Sequence, residues 1–356
     1  MSSAFGNKLK IQIFGQSHSK GLGVVMDGIP AGMKIDLEEV QRFLDRRAGG
    51  KNAYSTARKE ADTPTVLSGL VGDTTCGAPL CAIFENANTK SGDYDKLKGN
   101  LRPSHADYAA WMKYNGYQDR SGGGQFSGRL TLPLCFSGAV CIQLLRQQGV
   151  EVSSHILSIG EIQDEAFDLV DIKQKTYLPD EFPVLNAAVG EEMVAYMTEI
   201  AKEGDSVGGI VECAFTGIPV GVGEPIYDNV ESCIARVMFG VPAVKGIEFG
   251  MGFAGVKQRG SECNDAFYLE GDQIKTKTNN SGGIQGGITN GMPVVFRVAL
   301  KPTPSIYKEQ ETVNFKEMTE NKFHIEGRHD PCIVPRALPC VEAAAAVALY
   351  DLLLEK

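Results

Sequence analysis

Apolar and polar residues alternate through "KIQIFG" (10–15), the two-residue period of a half-buried strand, and the run stops at Gly15. "LGVVMDGIPAGM" predicts a second strand followed by a turn. The period then changes. In "DLEEVQRFLDRR", Val40, Phe43 and Leu44 fall on one helical face, Asp36 is placed to cap the first turn, and Glu39 follows three residues on. "APLCAIFEN" reads as a buried strand and "PLCFSGAVCIQLLRQQG" as an apolar helix ending at Gly149. "PCVEAAAAVALYDLLLEK" predicts an Ala- and Leu-rich helix starting near Pro339.

Two of these patterns recur. "DGIPAG" (27–32) is echoed by "TGIPVG" (216–221), and "TCGAPLCAIF" (75–84) by "TNGMPVVFRV" (289–298), in the same order. One Gly-Pro turn repeats by chance; two in order predict duplicated, β-rich halves, roughly 8–150 and 200–356. No linker-like composition separates them, so the expectation is one fused unit over 1–356. Within "TNNSGGIQGGITNGMPV" (278–294), five glycines from Gly282 to Gly291 leave the backbone bare, as turns or a ligand cradle require.

Bulk properties narrow the function classes. The chain has 356 residues, enough for a large core, with 43% hydrophobic and 22% charged residues. A net charge of −9 argues against nucleic acid as a partner, so arginines that meet an anion must be locally concentrated. The nine cysteines form no Cys-x-x-Cys pair and fit neither a zinc site nor a disulfide framework, which points to a reducing compartment. No metal cluster is apparent. The N-terminus has no signal-like apolar core, and no stretch reads as long enough to cross a bilayer; a cytoplasmic location is expected.

Three of the five histidines, His18, His105 and His329, lie in polar loops beside Ser, Asp, Arg and Gly, whereas His155 and His324 have plainer settings. Histidine titrates near neutrality and suits proton transfer. Arg46 and Arg47 end the first helix, Arg120 and Arg129 flank "SGGGQFSG", and Arg328 precedes His329 and Asp330. A Gly-rich loop before a helix, with forked donors beside it, suits a ligand with several negative groups. Neither a Walker A end nor a dinucleotide fingerprint is present. "SGGGQ" and "GGIQGG" are therefore phosphate or cofactor cradles of another type, or merely turns.

The ordered set "FGQSHSKGLGVVMDGIPAG", "RPSHADY", "SGGGQFSGR", "AVKGIEFGMGF", "NNSGGIQGGITNG", "KPTPSI" and "GRHDPC", from residue 14 to residue 332, resembles the chorismate synthase family. The resemblance implies an α+β fold, a β-α-β sandwich with two pseudo-symmetric halves, assembled as a homotetramer. It implies a lyase that converts 5-enolpyruvylshikimate 3-phosphate to chorismate in the shikimate pathway, requiring reduced FMN without net redox change. By position, His18, His105 and Asp330 take the catalytic roles. Flavin contacts fall on Gln125, Phe126, Ser127, Pro242, Ala243, Gly286, Lys301, Pro302, Thr303, Pro304, Ser305 and Arg328, and substrate contacts on Arg46, Arg47, Arg129 and Arg328. The chain departs from the family pattern at Gln16, where a Glu is usual, and at Ser121 and Gln125, where arginines are usual. Ala53 stands where the family has an arginine associated with NADPH. That departure implies an external flavin reductase in place of NADPH as direct reductant.

Overall fold

The computed structural model describes residues 3–50, 62–86, 99–175, 177, 181–325 and 329–356. Two five-stranded antiparallel sheets enclose a layer of helices, an α+β sandwich. In the first sheet the order is Ala4–Phe5, Lys10–Gly15, Gly21–Asp27, Leu80–Glu85, Thr65–Ser68. In the second it is Val244–Phe249, Val294–Leu300, Gly209–Thr216, Glu151–Ile159, Ile162–Gln163. The strand that leads into each Gly-Ile-Pro turn, Gly21–Asp27 or Gly209–Thr216, lies between two partners. One is an earlier strand, Lys10–Gly15 or Glu151–Ile159, and the other is the strand that follows each Thr-x-Gly-x-Pro.

Helices Leu37–Arg47, Thr131–Arg146, Val230–Met238 and Val334–Glu355 pack on one another between the sheets. Asp36 caps the first of these, accepting from Glu38 N at 2.8 Å and Glu39 N at 3.0 Å. The alanine run Ala343–Ala346 of the C-terminal helix is fully buried, and small side chains let the helices approach closely. At Gly138 a Cβ would lie 2.2 Å from the Cα of Ala343, so the crossing tolerates only glycine there. The C-terminal helix begins at Val334, not near Pro339. Pro335 occupies the first turn, where a missing N–H costs nothing, and Pro339 is carried inside the helix.

Two helices, Gly128–Arg146 and Val334–Glu355, are in fact long and apolar enough to cross a membrane, which corrects the sequence expectation. Their apolar windows are 83% and 89% buried inside the fold, so they are the core of the sandwich.

The 278–294 glycines serve local geometry. Gly282 lies with φ +67° where a Cβ would meet the backbone nitrogen of Gly250 at 2.4 Å. Gly286 sits at the exposed turn of the hairpin formed by Ile284–Gln285 and Ile288–Thr289.

Candidate active site

A cleft of about 890 Å³ runs between the loop around His105, the 123–128 turn, the 239–245 segment and the 301–305 segment. A recess of about 260 Å³ adjoins it. The two share Ser127, Gly128, Val241, Pro242, Asp330 and Ile333 as walls, so they form one site with two compartments.

Among the described residues, the recess is lined by Arg47, Arg129 and Arg336 and by the carboxylates of Asp62 and Asp330. Arg47 Nη2 donates to Asp62 Oδ2 at 2.7 Å, and Arg129 Nη1 donates to the other oxygen of the same carboxylate. Burial works against the charge on Asp62, but the two arginines hold its carboxyl below the usual range. Arg336 Nη1 donates to Asp330 Oδ2 at 2.5 Å, and its Nε to the Arg47 carbonyl at 3.0 Å. Three guanidinia share these walls, and among the described residues Arg47 Nε is buried without a hydrogen-bond partner. An oxyanion suits both features.

In the cleft, His105 Nδ1 lies 2.9 Å from Asp107 Oδ1. Arg102 grips the same carboxylate, from Nε to Oδ2 at 2.8 Å and from Nη2 to Oδ1 at 2.6 Å. Burial would raise the Asp107 carboxyl, yet the hydrogen bonds from Arg102 and His105 hold it well below its usual range. An ionised Asp107 favours the tautomer with its proton on Nδ1, and His105 lines the cleft. Lys301 Nζ donates to the Ser104 carbonyl at 3.0 Å, and Lys301 N to the Ala243 carbonyl at 2.9 Å. Both acceptor residues have positive φ, +59° at Ser104 and +71° at Ala243, although neither is glycine. Such backbone costs on the order of 1–3 kcal/mol each and collects at functional sites. Burial, then the neighbouring Lys245, lowers the Lys301 ammonium below its ordinary value.

The polar edges of the cleft are incompletely satisfied. His329 Nε2 and Thr303 Oγ1 are buried without hydrogen-bond partners. Burial, then the Arg102 charge, pushes the His329 imidazole below its ordinary value, favouring the neutral ring.

A chorismate synthase family model matches residues 9–354. The chain belongs to the chorismate synthase family. A chorismate synthase of Dehalococcoides mccartyi is 44% identical over 354 residues, covering 99% of this chain and 97% of that protein. One from Pyrococcus abyssi is 44% identical over 351 residues, covering 98% and 97%. A solved structure described as a crystal structure of chorismate synthase superposes with a TM-score of 0.75 at 28% identity, covering 99% of this chain and 93% of that one.

Of the positions that the family resemblance singled out, Gln125, Phe126, Ser127, Pro242, Ala243, Lys301, Thr303, Pro304 and Ser305 line the cleft, as does His105, and Asp330 lines both compartments. Arg47 and Arg129 line the recess. Pro302 falls between two cleft residues without lining it. His18 lines neither compartment. Its ring lies on the bare backbone of Gly122, where a Cβ would meet His18 Cε1 at 2.3 Å, and Ser17 Oγ is 2.8 Å from its Nδ1. The Gly122 carbonyl in turn accepts from Arg102 Nη2 at 3.2 Å, so His18 meets the His105 cluster from behind that turn.

Two of these positions stand elsewhere. Gly286 lines neither compartment; it sits at the exposed turn of its hairpin. Arg46 faces the helix layer, where it forms a forked pair with Glu342 at 2.7 and 2.8 Å. Successive helical residues project about 100° apart, so only Arg47 reaches the recess. Arg328 and Ala53 lie outside the described residues. The residues that sequence reasoning passed over are Arg102, Asp107 and Arg336. Arg102 and Asp107 flank His105 in "RPSHADY", which was the available signal. Arg336 carried none, since it lies just before the helix that the sequence predicts from Pro339.

Proposed function

We propose that this chain catalyses the chorismate synthase reaction, loss of phosphate and a ring proton from 5-enolpyruvylshikimate 3-phosphate to give chorismate, with reduced FMN required and no net redox change. The observation that carries the reading is the pairing of an arginine-lined recess with a larger cleft through shared walls. The substrate bears a phosphate and two carboxylates, and Arg47, Arg129 and Arg336 supply fixed, forked donors for them.

The cleft suits a flavin mononucleotide. Its volume of about 890 Å³ accommodates a flat ring system, and Phe126, Pro242 and Ala243 give it apolar walls. The unpartnered Thr303 Oγ1 and His329 Nε2 and the Lys301 ammonium are ready for polar edges of the ring or its phosphate. When bound, reduced flavin supplies transient electron density that eases departure of the allylic phosphate. The protein's part is orientation and proton handling. His105 Nε2, set by Asp107, holds or delivers a proton in the cleft. Asp330, on the boundary of the two compartments, would assist removal of the ring proton, as the family resemblance implies. Ser17 orients His18 behind Gly122, and His18 is assigned to the proton balance of the leaving phosphate.

The family resemblance further supports a homotetramer acting in the cytoplasm, supplied with reduced flavin by a separate reductase. Exposed apolar side chains such as Phe253 at 78%, Val256 at 80% and Leu269 at 75% fit burial against further copies. The test is an anaerobic assay of phosphate release with the purified chain. Dithionite-reduced FMN should support turnover, and oxidised FMN with NADPH but no reductase should not. Turnover without any flavin would refute the cofactor assignment. Equal rates with both reductants would refute the separate reductase.

A further inference from the structure

The side chains of Cys135 and Cys340 meet where the two long helices cross, with sulfurs 3.6 Å apart. Both are buried, and Cys340 also forms part of the recess wall. The elimination proposed above uses neither thiol. Cys135 precedes Gly138 by one helical turn and Cys340 precedes Ala343 by one turn, so the pair adjoins the close backbone approach of Gly138 to Ala343. A disulfide bond is about 2.05 Å long, so the sulfurs need to close by only about 1.5 Å.

The two thiols are not equivalent. Cys340 Sγ accepts a hydrogen bond from the Cys135 thiol, and it lies near Arg47, Arg336 and the Thr131 hydroxyl. Against its burial, these neighbours bring it down to about 7. Burial drives Cys135 the other way. The recess gives a small neutral oxidant a path to Cys340, whereas Cys135 is fully enclosed.

We propose that Cys340 is a hydroperoxide-reactive thiol and Cys135 its resolving partner, so that the pair closes to a disulfide in the recess wall. The Cys340 thiolate attacks hydrogen peroxide, the O–O bond breaks, and sulfenic acid and hydroxide form; a proton converts the hydroxide to water. Cys135 sulfur then attacks the sulfenic sulfur, its proton leaves with the hydroxyl as a second water, and the S–S bond forms. Two thiols are oxidised as one peroxide is reduced.

The full-length protein is treated with equimolar hydrogen peroxide, quenched in denaturant with N-ethylmaleimide and digested without reductant. Mass spectrometry should find the Cys135 and Cys340 peptides joined and lighter by two hydrogens, and dithiothreitol should separate them. In Cys135→Ser the sulfenic acid should persist on Cys340 and react with dimedone. In Cys340→Ser, Cys135 should stay reduced. Full alkylation of wild-type Cys340 at a peroxide dose that oxidises the exposed Cys76 would overturn the proposal, as would dimedone on Cys135.

Discussion

In the proposed reaction His105 carries a proton only as long as Asp107 stays ionised beside it, and Arg102 favours that state through two hydrogen bonds. His105→Ala should therefore slow turnover by roughly 10²–10⁴-fold, the range for lost general acid–base help. Asp107→Asn should lower kcat in the same direction while leaving KM nearly unchanged, because it spoils the ring's tautomer and not substrate binding. A fall in KM-limited binding with kcat intact would contradict this assignment. His155 is a poor control for such work: it is fully buried, with Nε2 2.9 Å from Glu212, and its loss should cost stability of about 1–3 kcal/mol. Arginines divide in the same way. Arg336→Ala should weaken binding of the phosphorylated substrate by about 1.5–3 kcal/mol, the value of a charge-assisted bond in a closed site. Arg42→Ala, on an exposed side chain 3.7 Å from Asp36, should change it by less than about 1 kcal/mol. Isothermal titration on the two variants gives the comparison, and equal effects would remove the arginine recess from the account.

At the scale of elements, the site depends on how closely the helices approach and on one shared carboxylate. Gly138→Ala places a Cβ against the Ala343 backbone and should destabilise the fold by about 1–3 kcal/mol, read as a lower denaturation midpoint with an unchanged slope. Asp62 joins the end of the Leu37–Arg47 helix to Arg129, and its carboxyl is lowered in the folded state. A lowered carboxyl contributes stability that is complete above its unfolded value of about 4 and is lost as pH falls through the folded value. Asp62→Asn should thus melt lower at pH 7 yet lose less of its melting temperature than wild type between pH 5 and pH 3. Parallel losses would show that Asp62 is not the group concerned.

Much of this level is legible in the sequence. The cap at Asp36, the strand at Lys10–Gly15 and the paired Gly-Ile-Pro turns depend on neighbours within a few residues. The forked pair between Arg46 and Glu342 joins residues 296 positions apart, and no local pattern announces it. Nor does the start of the C-terminal helix, where Pro339 looks like a boundary but is carried by the packing around it. The bare backbone around Gly282 looked like a ligand cradle because close backbone packing and ligand contact demand the same residue.

For the molecule as a whole, a chain of net charge −9 gathers cations where the anions must go. Arg47, Arg129 and Arg336 crowd the recess, while Arg102, Lys245, Lys301 and Lys322 border the cleft. Local concentration against an acidic background steers an anionic substrate to one place and falls off with ionic strength. The central claim is that the neighbouring cleft holds a flavin that is needed but not consumed. The direct measurement is the number of chorismate molecules formed per flavin oxidised, with oxygen excluded and both followed by absorbance. The account predicts a ratio that keeps rising with time while the flavin stays reduced. A ratio fixed at one would make the flavin a reactant, and the chain an oxidoreductase.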